Sequence, residues 1–197
     1  MSAAASRFSF IAYNYEATLT SDQKKFRPMP DTPHLTLVLG HAASGKSAWA
    51  EAQVQAQDGR PTYVATATLW DDEMRAKAQT HAARRGADWD LIDGPEDLAR
   101  TCRGLTGPVL VDCATMWLMG LMMEDRDWEA PTEAWIHAMA GSDATFHVVS
   151  NDVGGGVTPD NALARRFQRA QGMLNQRLAA AADAVFLVTA GLPQRLK

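Results

Sequence analysis

Cysteine is scarce: Cys102 and Cys113 are the only two in 197 residues, and they sit in no C-x-x-C or metal-ligand spacing. That excludes a disulfide-stapled scaffold and a cysteine-built zinc site, and it suits a reducing compartment. Long apolar runs are missing as well. No stretch approaches the roughly 20 residues that cross a bilayer, and the Phe8–Tyr13 segment is too short for a signal-peptide core and lacks a small-residue cleavage site after it. Nor is there a long basic run. With 19 Lys and Arg against 23 Asp and Glu, the formal charge is −4, which argues against a general nucleic-acid binder. There is no internal repeat and no low-complexity tract. What remains is a cytoplasmic chain whose length suits one domain with a sizeable core.

Residues 1–33 differ in composition from the rest. Lys24, Lys25 and Arg27 cluster there, and Pro28, Pro30 and Pro33 close the segment. It reads as a flexible N-terminal extension or an upstream translation start, with a lid or partner-binding arm as the alternative. The domain proper is residues 34–197.

From Leu35 onward, β-rich runs alternate with helical ones. Strands are expected at Leu35–Leu39, Thr62–Ala65, Val109–Asp112, Phe146–Ser150 and Val185–Thr189. Helices are expected near Ser47–Gln57, Asp72–Arg85, Glu96–Arg103, Thr115–Met123, Thr132–Ala140 and Pro159–Ala182. Strands this continuously hydrophobic belong in a mostly parallel sheet covered on both faces. The alternation means an α/β fold with ligands at the carboxyl ends of the strands.

The stretch LTLVLGHAASGKS, Leu35 to Ser47, carries the strongest chemical signal. Gly40, His41, Ala42, Ala43, Ser44, Gly45, Lys46 and Ser47 match G-x-x-x-x-G-K-[ST], the phosphate-binding loop of P-loop NTPases. Glycines let the backbone curl until successive N–H groups point into one concavity that holds phosphate oxygens. Lys46 would reach the outer phosphates, and the Ser47 hydroxyl would ligate Mg²⁺. The helix that follows turns its positive end to the same anion.

Further candidates follow along the chain. The strand VLVDC ends in Asp112, the place of the second acidic motif that holds Mg²⁺ directly or through water; a turn or helix cap is the bland alternative. In DDEMRAKAQTHAARR, a helix from Asp72 would put His81 between Lys77 and Arg85 on one face. By residue type alone, His81 is either a surface or capping histidine or a catalytic one. Cations around it would favour the neutral ring, whereas the helix C-terminus would favour the charged form. After Ser150 comes a glycine-rich loop, with Thr158 and Pro159 as expected N-cap and first helical residue. Leu163, Phe167, Ala170, Leu174 and Leu178 form an apolar stripe read as core packing. Arg165, Arg166 and Arg169 are a solvated face or a phosphate-recognition cluster. The run from Ala114 to Met123 reads as a buried helix, with an apolar wall for a bulky ligand as the alternative.

Taken together, these motifs resemble the bifunctional adenosylcobinamide kinase/adenosylcobinamide-phosphate guanylyltransferase family of cobalamin biosynthesis. The resemblance covers Leu35 to Lys197. It rests on GHAASGKS, YVAT followed by DDEM, His81 with Arg85 and Trp89 behind it, VLVDC-x-T-x-W-L, SNDVG, TPDNALARRF, LNQRLAAAAD and GLPQRLK. It implies a RecA-like P-loop fold and two reactions. A nucleoside triphosphate (ATP or GTP) first phosphorylates the aminopropanol hydroxyl of adenosylcobinamide. GTP then guanylylates a histidine of the enzyme, and the GMP passes to the cobinamide phosphate, giving adenosylcobinamide-GDP and pyrophosphate. The family histidine lies seven residues after the Met of D-x-E-M, which lands on His81. Family nucleotide contacts fall on Ala65, Thr66, Ala67, Arg84, Arg85 and Asp93, the last usually a glutamate. The family also implies a homo-oligomer, a trimer with active sites near subunit contacts.

Some positions depart from the family pattern. The usual loop is GGARSGKS, and this chain has His41 and Ala43 where a Gly and an Arg are common, which removes one charge near the phosphates. Ala82 follows His81 where Arg is frequent, Asp152 replaces the Glu of SNEVG, and Gly120 replaces a frequent Asn. The alternatives to a bifunctional transferase are a small-alcohol kinase without guanylyl transfer and a GTP-binding regulatory module.

Overall fold

The computed structural model describes residues 33–67 and 88–197. In chain order the elements are β1 (Leu35–Gly40), α1 (Lys46–Gln55), β2 (Thr62–Ala65), β3 (Asp90–Asp93), α2 (Leu98–Arg103), β4 (Thr106–Asp112), α3 (Ala114–Met123), α4 (Glu129–Ala140), β5 (Asp143–Asn151), α5 (Ala162–Ala181), β6 (Ala184–Thr189) and β7 (Leu192–Arg195). The strands form one sheet in the order β3-β2-β4-β5-β1-β6-β7. All neighbours run parallel except β7, which turns back antiparallel on β6.

Two-residue alternation divides each central strand between two cores. Leu35, Leu37, Val109, Val111, Phe146 and Val148 face one side, where α2 to α5 pack, and Val38, Leu110 and Val149 face the other, where α1 packs. The helices meet the sheet through side chains four apart: Leu98 and Cys102, then Ala114, Leu118 and Met122, then Trp135 and Met139, then Ala170, Leu174 and Leu178. Each fully buried Leu or Phe contributes roughly 1.5–3 kcal/mol, so the middle of the sheet is the rigid base of the molecule. The expected mostly parallel α/β sheet with helices on both faces is the fold observed.

Two short strands went unanticipated, and both are edges. β3 reads DLID and β7 reads LPQR, mostly exposed, so neither shows a hydrophobic run. Pro193 is tolerated in β7 because an edge strand needs no donor on its outer side. The long helix starts at Ala162 and not at Pro159, because the Asn161 side chain accepts the Ala164 N–H at 2.7 Å and caps it. Thr158 and Pro159 stay in the loop, where the Arg165 guanidinium donates to the carbonyls of Pro159 (2.9 Å) and Asp160 (2.7 Å). The apolar stripe correspondingly begins at Phe167, since Leu163 is 54% exposed. Of the residues read as an extension, Pro33 alone is described.

His147 sits in the middle of β5, paired with Thr36 and Leu110. It is buried, and its Nδ1 has no hydrogen-bond partner among the described residues. Burial pushes its pKa down to about 4, so the native ring is neutral. The unfolded chain binds the extra proton below about pH 6.5, so stability is fully present above that pH and falls as pH drops toward about 4. We expect a loss of about 3 kcal/mol across this window. Urea titrations at several pH values should show a flatter profile in His147→Gln; an identical slope in both proteins would contradict the assignment.

Candidate functional site

Six parallel strands end on one edge of the sheet, and the turn after β1 shapes the phosphate loop there. Gly45 has φ +91° and Ala43 φ +57°, left-handed conformations that curl the chain between strand and helix. A Cβ on Gly40 would collide with the Ser44 side chain and the Val188 carbonyl, and one on Gly45 would lie 3.0 Å from the Gly191 Cα. Both flanks of the loop are tied down. On one side the Gly191 N–H, in the β6–β7 turn, donates to the Ser44 carbonyl at 2.8 Å. On the other, the Asp152 N–H donates to the Gly40 carbonyl at 3.1 Å, and His41 Nδ1 meets the Asp152 carbonyl at 2.8 Å. Gly40→Ala must displace backbone at Val188. We expect it to cost about 1–3 kcal/mol and to weaken nucleotide binding, read by thermal melts and nucleotide titration; wild-type values in both would show that the loop is not so constrained.

Lys46 opens α1, and its Nζ donates to the His41 carbonyl at 3.1 Å. Burial lowers its pKa, opposed by Cys113 and by Asp112. Burial, aided by the Asp112 carboxylate, pushes the Cys113 thiol up to about 12, so it stays neutral near pH 7 and is no nucleophile. Cys102 is likewise pushed up to about 12 by burial. Both cysteines are buried and unlinked.

Asp112 ends β4, with β5 standing between it and the loop strand. The Tyr63 hydroxyl donates to Asp112 Oδ2 at 3.0 Å and fixes the carboxylate's orientation. The Thr66 N–H donates to the Asp112 carbonyl at 3.2 Å, and Thr66 Oγ1 donates to the Cys113 carbonyl at 2.6 Å. Ala65 and Thr66 therefore lie beside Asp112, and Ala67 follows them in the chain. Asp93 ends the neighbouring edge strand, exposed, next to Gly94, whose N–H donates to the Ala65 carbonyl at 2.9 Å. Ser47, half-buried, follows Lys46 in the first turn of α1. Among the described residues, no group of three His, Cys, Asp or Glu side chains could hold a metal by itself. A hydroxyl and one carboxylate, both hard oxygen donors, fit Mg²⁺, which keeps several waters and takes its other ligands from substrate phosphates. His81, Arg84 and Arg85 lie outside the described residues.

A buried polar network behind the loop escaped the sequence reading. Gln171 Nε2 donates to Ser150 Oγ and to Asn175 Oδ1, both at 2.9 Å, and Ser150 Oγ donates to Asn175 Oδ1 at 2.7 Å. Asn175 Nδ2 donates to the Asn151 carbonyl at 3.0 Å, and the Asn151 N–H donates to Thr115 Oγ1 at 2.8 Å. In this way α3 and α5 fix the end of β5, whose Asn151 pairs with Gly40. The available signal was Gln171 and Asn175, four apart on the face that also carries Leu174 and Leu178. The first three arginines of α5 divide: Arg165 wraps the preceding loop, Arg166 pairs with Asp125 at 3.4 Å, and Arg169 is exposed. In α3, Leu118, Leu121 and Met122 are buried whereas Met123 is 55% exposed. No helix among the described residues is long and apolar enough to cross a membrane.

Known proteins resemble the chain to different degrees. Solved structures resemble the chain weakly: flagellar accessory protein FlaH from Methanocaldococcus jannaschii has a TM-score of 0.48 and 13% identity, covering 89% of this chain and 84% of that one. An ATPase from the type III secretion system of pathogenic bacteria also has a TM-score of 0.48, with 8% identity over 79% of this chain and 52% of that one. Sequence relatives are nearer. The bifunctional adenosylcobalamin biosynthesis protein CobP of Pseudomonas aeruginosa is 37% identical over 167 residues, covering 82% of this chain and 96% of that protein. The proteins named CobU are 33% identical in Escherichia coli and 35% in Salmonella typhimurium, each over 181 residues, covering 83% of this chain and 99% of theirs. The family model described as cobinamide kinase / cobinamide phosphate guanyltransferase matches residues 36–196, and the chain belongs to that family.

Proposed function

We propose that one phosphate-binding loop, residues 40–47, serves both reactions of this bifunctional transferase of cobalamin biosynthesis. In the kinase step the amides of the loop and Lys46 hold the triphosphate, and the terminal phosphoryl group passes to the aminopropanol hydroxyl of adenosylcobinamide. In the second step His81, as a neutral imidazole, attacks the α-phosphorus of GTP, and pyrophosphate leaves. The hydroxyl-borne phosphate of the cobinamide then displaces the histidine, forming the diphosphate linkage of adenosylcobinamide-GDP and regenerating the ring. Two displacements avoid a single encounter between two anionic phosphates, which would have to overcome their mutual repulsion. Arg84 and Arg85 would screen the α-phosphate, and Ala65, Thr66, Ala67 and Asp93 would contact the nucleoside.

Ser47 and Asp112 would hold Mg²⁺, which when bound would offset the negative charge of the triphosphate. Tyr63 keeps the Asp112 carboxylate aimed, and Lys46 supplies a fixed cation in a half-buried place where it counts for more than in water. The observation that carries this reading is the loop itself: left-handed Ala43 and Gly45 lead into the α1 N-terminus, with Lys46 coupled to Asp112. Thr66, whose N–H meets the Asp112 carbonyl, lies in the segment from which the sequence continues toward His81. We place the enzyme in the cytoplasm and expect a homo-oligomer, a trimer as in the family resemblance.

The test is turnover of adenosylcobinamide with ATP or GTP, followed chromatographically. Formation of adenosylcobinamide phosphate and then adenosylcobinamide-GDP supports the reading. Phosphate formation that stops there would mean a kinase alone, and nucleotide binding without either product would mean a regulatory module.

A further inference from the structure

His41 stands at the second position of the phosphate loop, exposed, on the side nearest the glycine-rich segment after β5. Its Nδ1 lies 2.8 Å from the Asp152 carbonyl. A carbonyl only accepts, so Nδ1 carries the hydrogen and the tautomer is fixed. The ring also reaches the far loop, since a Cβ on Gly155 would lie 3.7 Å from His41 Cε1. Nε2 then has a lone pair in the neutral ring and an N–H in the charged ring, and no described protein atom takes it.

Among the described residues, two other charged groups lie against this one. Lys46, from α1, places its Nζ on the His41 carbonyl, and Asp152 turns its Oδ1 to the Gly154 N–H at 3.2 Å. A lone pair at Nε2 would repel a phosphate oxygen, whereas a protonated ring would donate a charge-assisted hydrogen bond to it. Histidine is the side chain whose charge changes in the physiological range.

We propose that His41 is a phosphate-binding residue that takes up a proton when a nucleoside triphosphate enters the loop. Nδ1–H holds the ring on Asp152 while Nε2–H meets the terminal phosphate. The inference rests on the phosphate-loop reading above, and it gives this chain a pH-dependent cation where the loop has Ala43 and no arginine. Nucleotide affinity thereby gains with acidity, and the same contact joins the loop to the segment 152–156 while nucleotide is bound.

Calorimetric titration of the full-length protein with the magnesium complex of guanylyl imidodiphosphate, in buffers of different ionisation enthalpy, reads the proton directly. Wild type should take up more protons than His41→Asn, the difference approaching one per analogue bound. His41→Asn keeps a donor near the Nδ1 position but does not titrate. The affinity ratio of wild type to His41→Asn should grow several-fold, up to about tenfold, between about pH 8 and about pH 6. His41→Gly should likewise show no extra proton, which separates titration from loss of the contact with Asp152. Equal proton uptake in wild type and both variants, with a flat ratio, overturns the proposal while leaving the phosphate loop intact. Absence of analogue binding by wild type overturns the loop reading and this proposal together.

Discussion

Lys46→Ala is expected to lower both phosphoryl and guanylyl transfer by about a hundredfold or more. The loop amides hold phosphate oxygens through fixed dipoles, but Lys46 is the loop's only lysine or arginine. Its Nζ is parked 3.1 Å from the His41 carbonyl, within the loop that it would serve, and burial has already removed part of its water. Removing one preorganised donor at a reacting group costs about 2.7–4 kcal/mol, or two to three powers of ten in rate. Because the same loop is proposed for both reactions, the two rates should fall together. Nucleotide affinity should fall as well, since the charge acts on the ground state before the transition state. Thermal stability should hardly change, because Lys46 makes no ion pair among the described residues and is only half-buried. Parallel kinase and transferase assays, with a melting curve as control, check this; a variant that lost only one activity would contradict a shared loop.

His81→Ala is expected to divide the two activities. Guanylyl transfer should fall by about 10⁴-fold or more, because the covalent route through His81 disappears. Neither thiol can take its place, since burial pushes both up to about 12 and keeps them neutral. Phosphorylation of adenosylcobinamide needs no protein nucleophile, so it should stay within about threefold of wild type. Steady-state rates of the phosphate and of adenosylcobinamide-GDP, measured on one preparation, give both numbers. Loss of both rates together would assign His81 to binding or folding and remove it as nucleophile.

Much of this molecule could be read from its sequence because the central strands are buried on both faces. Leu35–Leu39 and Phe146–Ser150 carry unbroken apolar runs, and their limits shift by only a few residues in the fold. The edges were illegible for the opposite reason: Asp90–Asp93 and Leu192–Arg195 owe their strand geometry to one neighbour each and bury little. The loop was legible as a motif, since phosphate binding demands glycine at fixed offsets. Its buttresses were not. Gly191 reaches Ser44, and Asp152 reaches Gly40 and His41, across more than a hundred residues of sequence, where no local periodicity connects them. Gln171 and Asn175 were hidden by a helix that looked apolar on that face, although a buried amide pair on an apolar stripe is a sign of a strand end being fixed. Position 161 prevailed over position 158 as a cap because only its side chain reaches an amide N–H in the first turn.

The most direct test is to incubate the protein with Mg²⁺ and GTP labelled at the α-phosphate, denature it, and map the labelled peptide. The expected result is one GMP per chain in an acid-labile, alkali-stable linkage on the peptide that contains His81, formed by wild type and lost in both His81→Ala and Lys46→Ala. Label on any other residue, or adenosylcobinamide-GDP formed at full rate with no labelled protein at any time, would contradict the account.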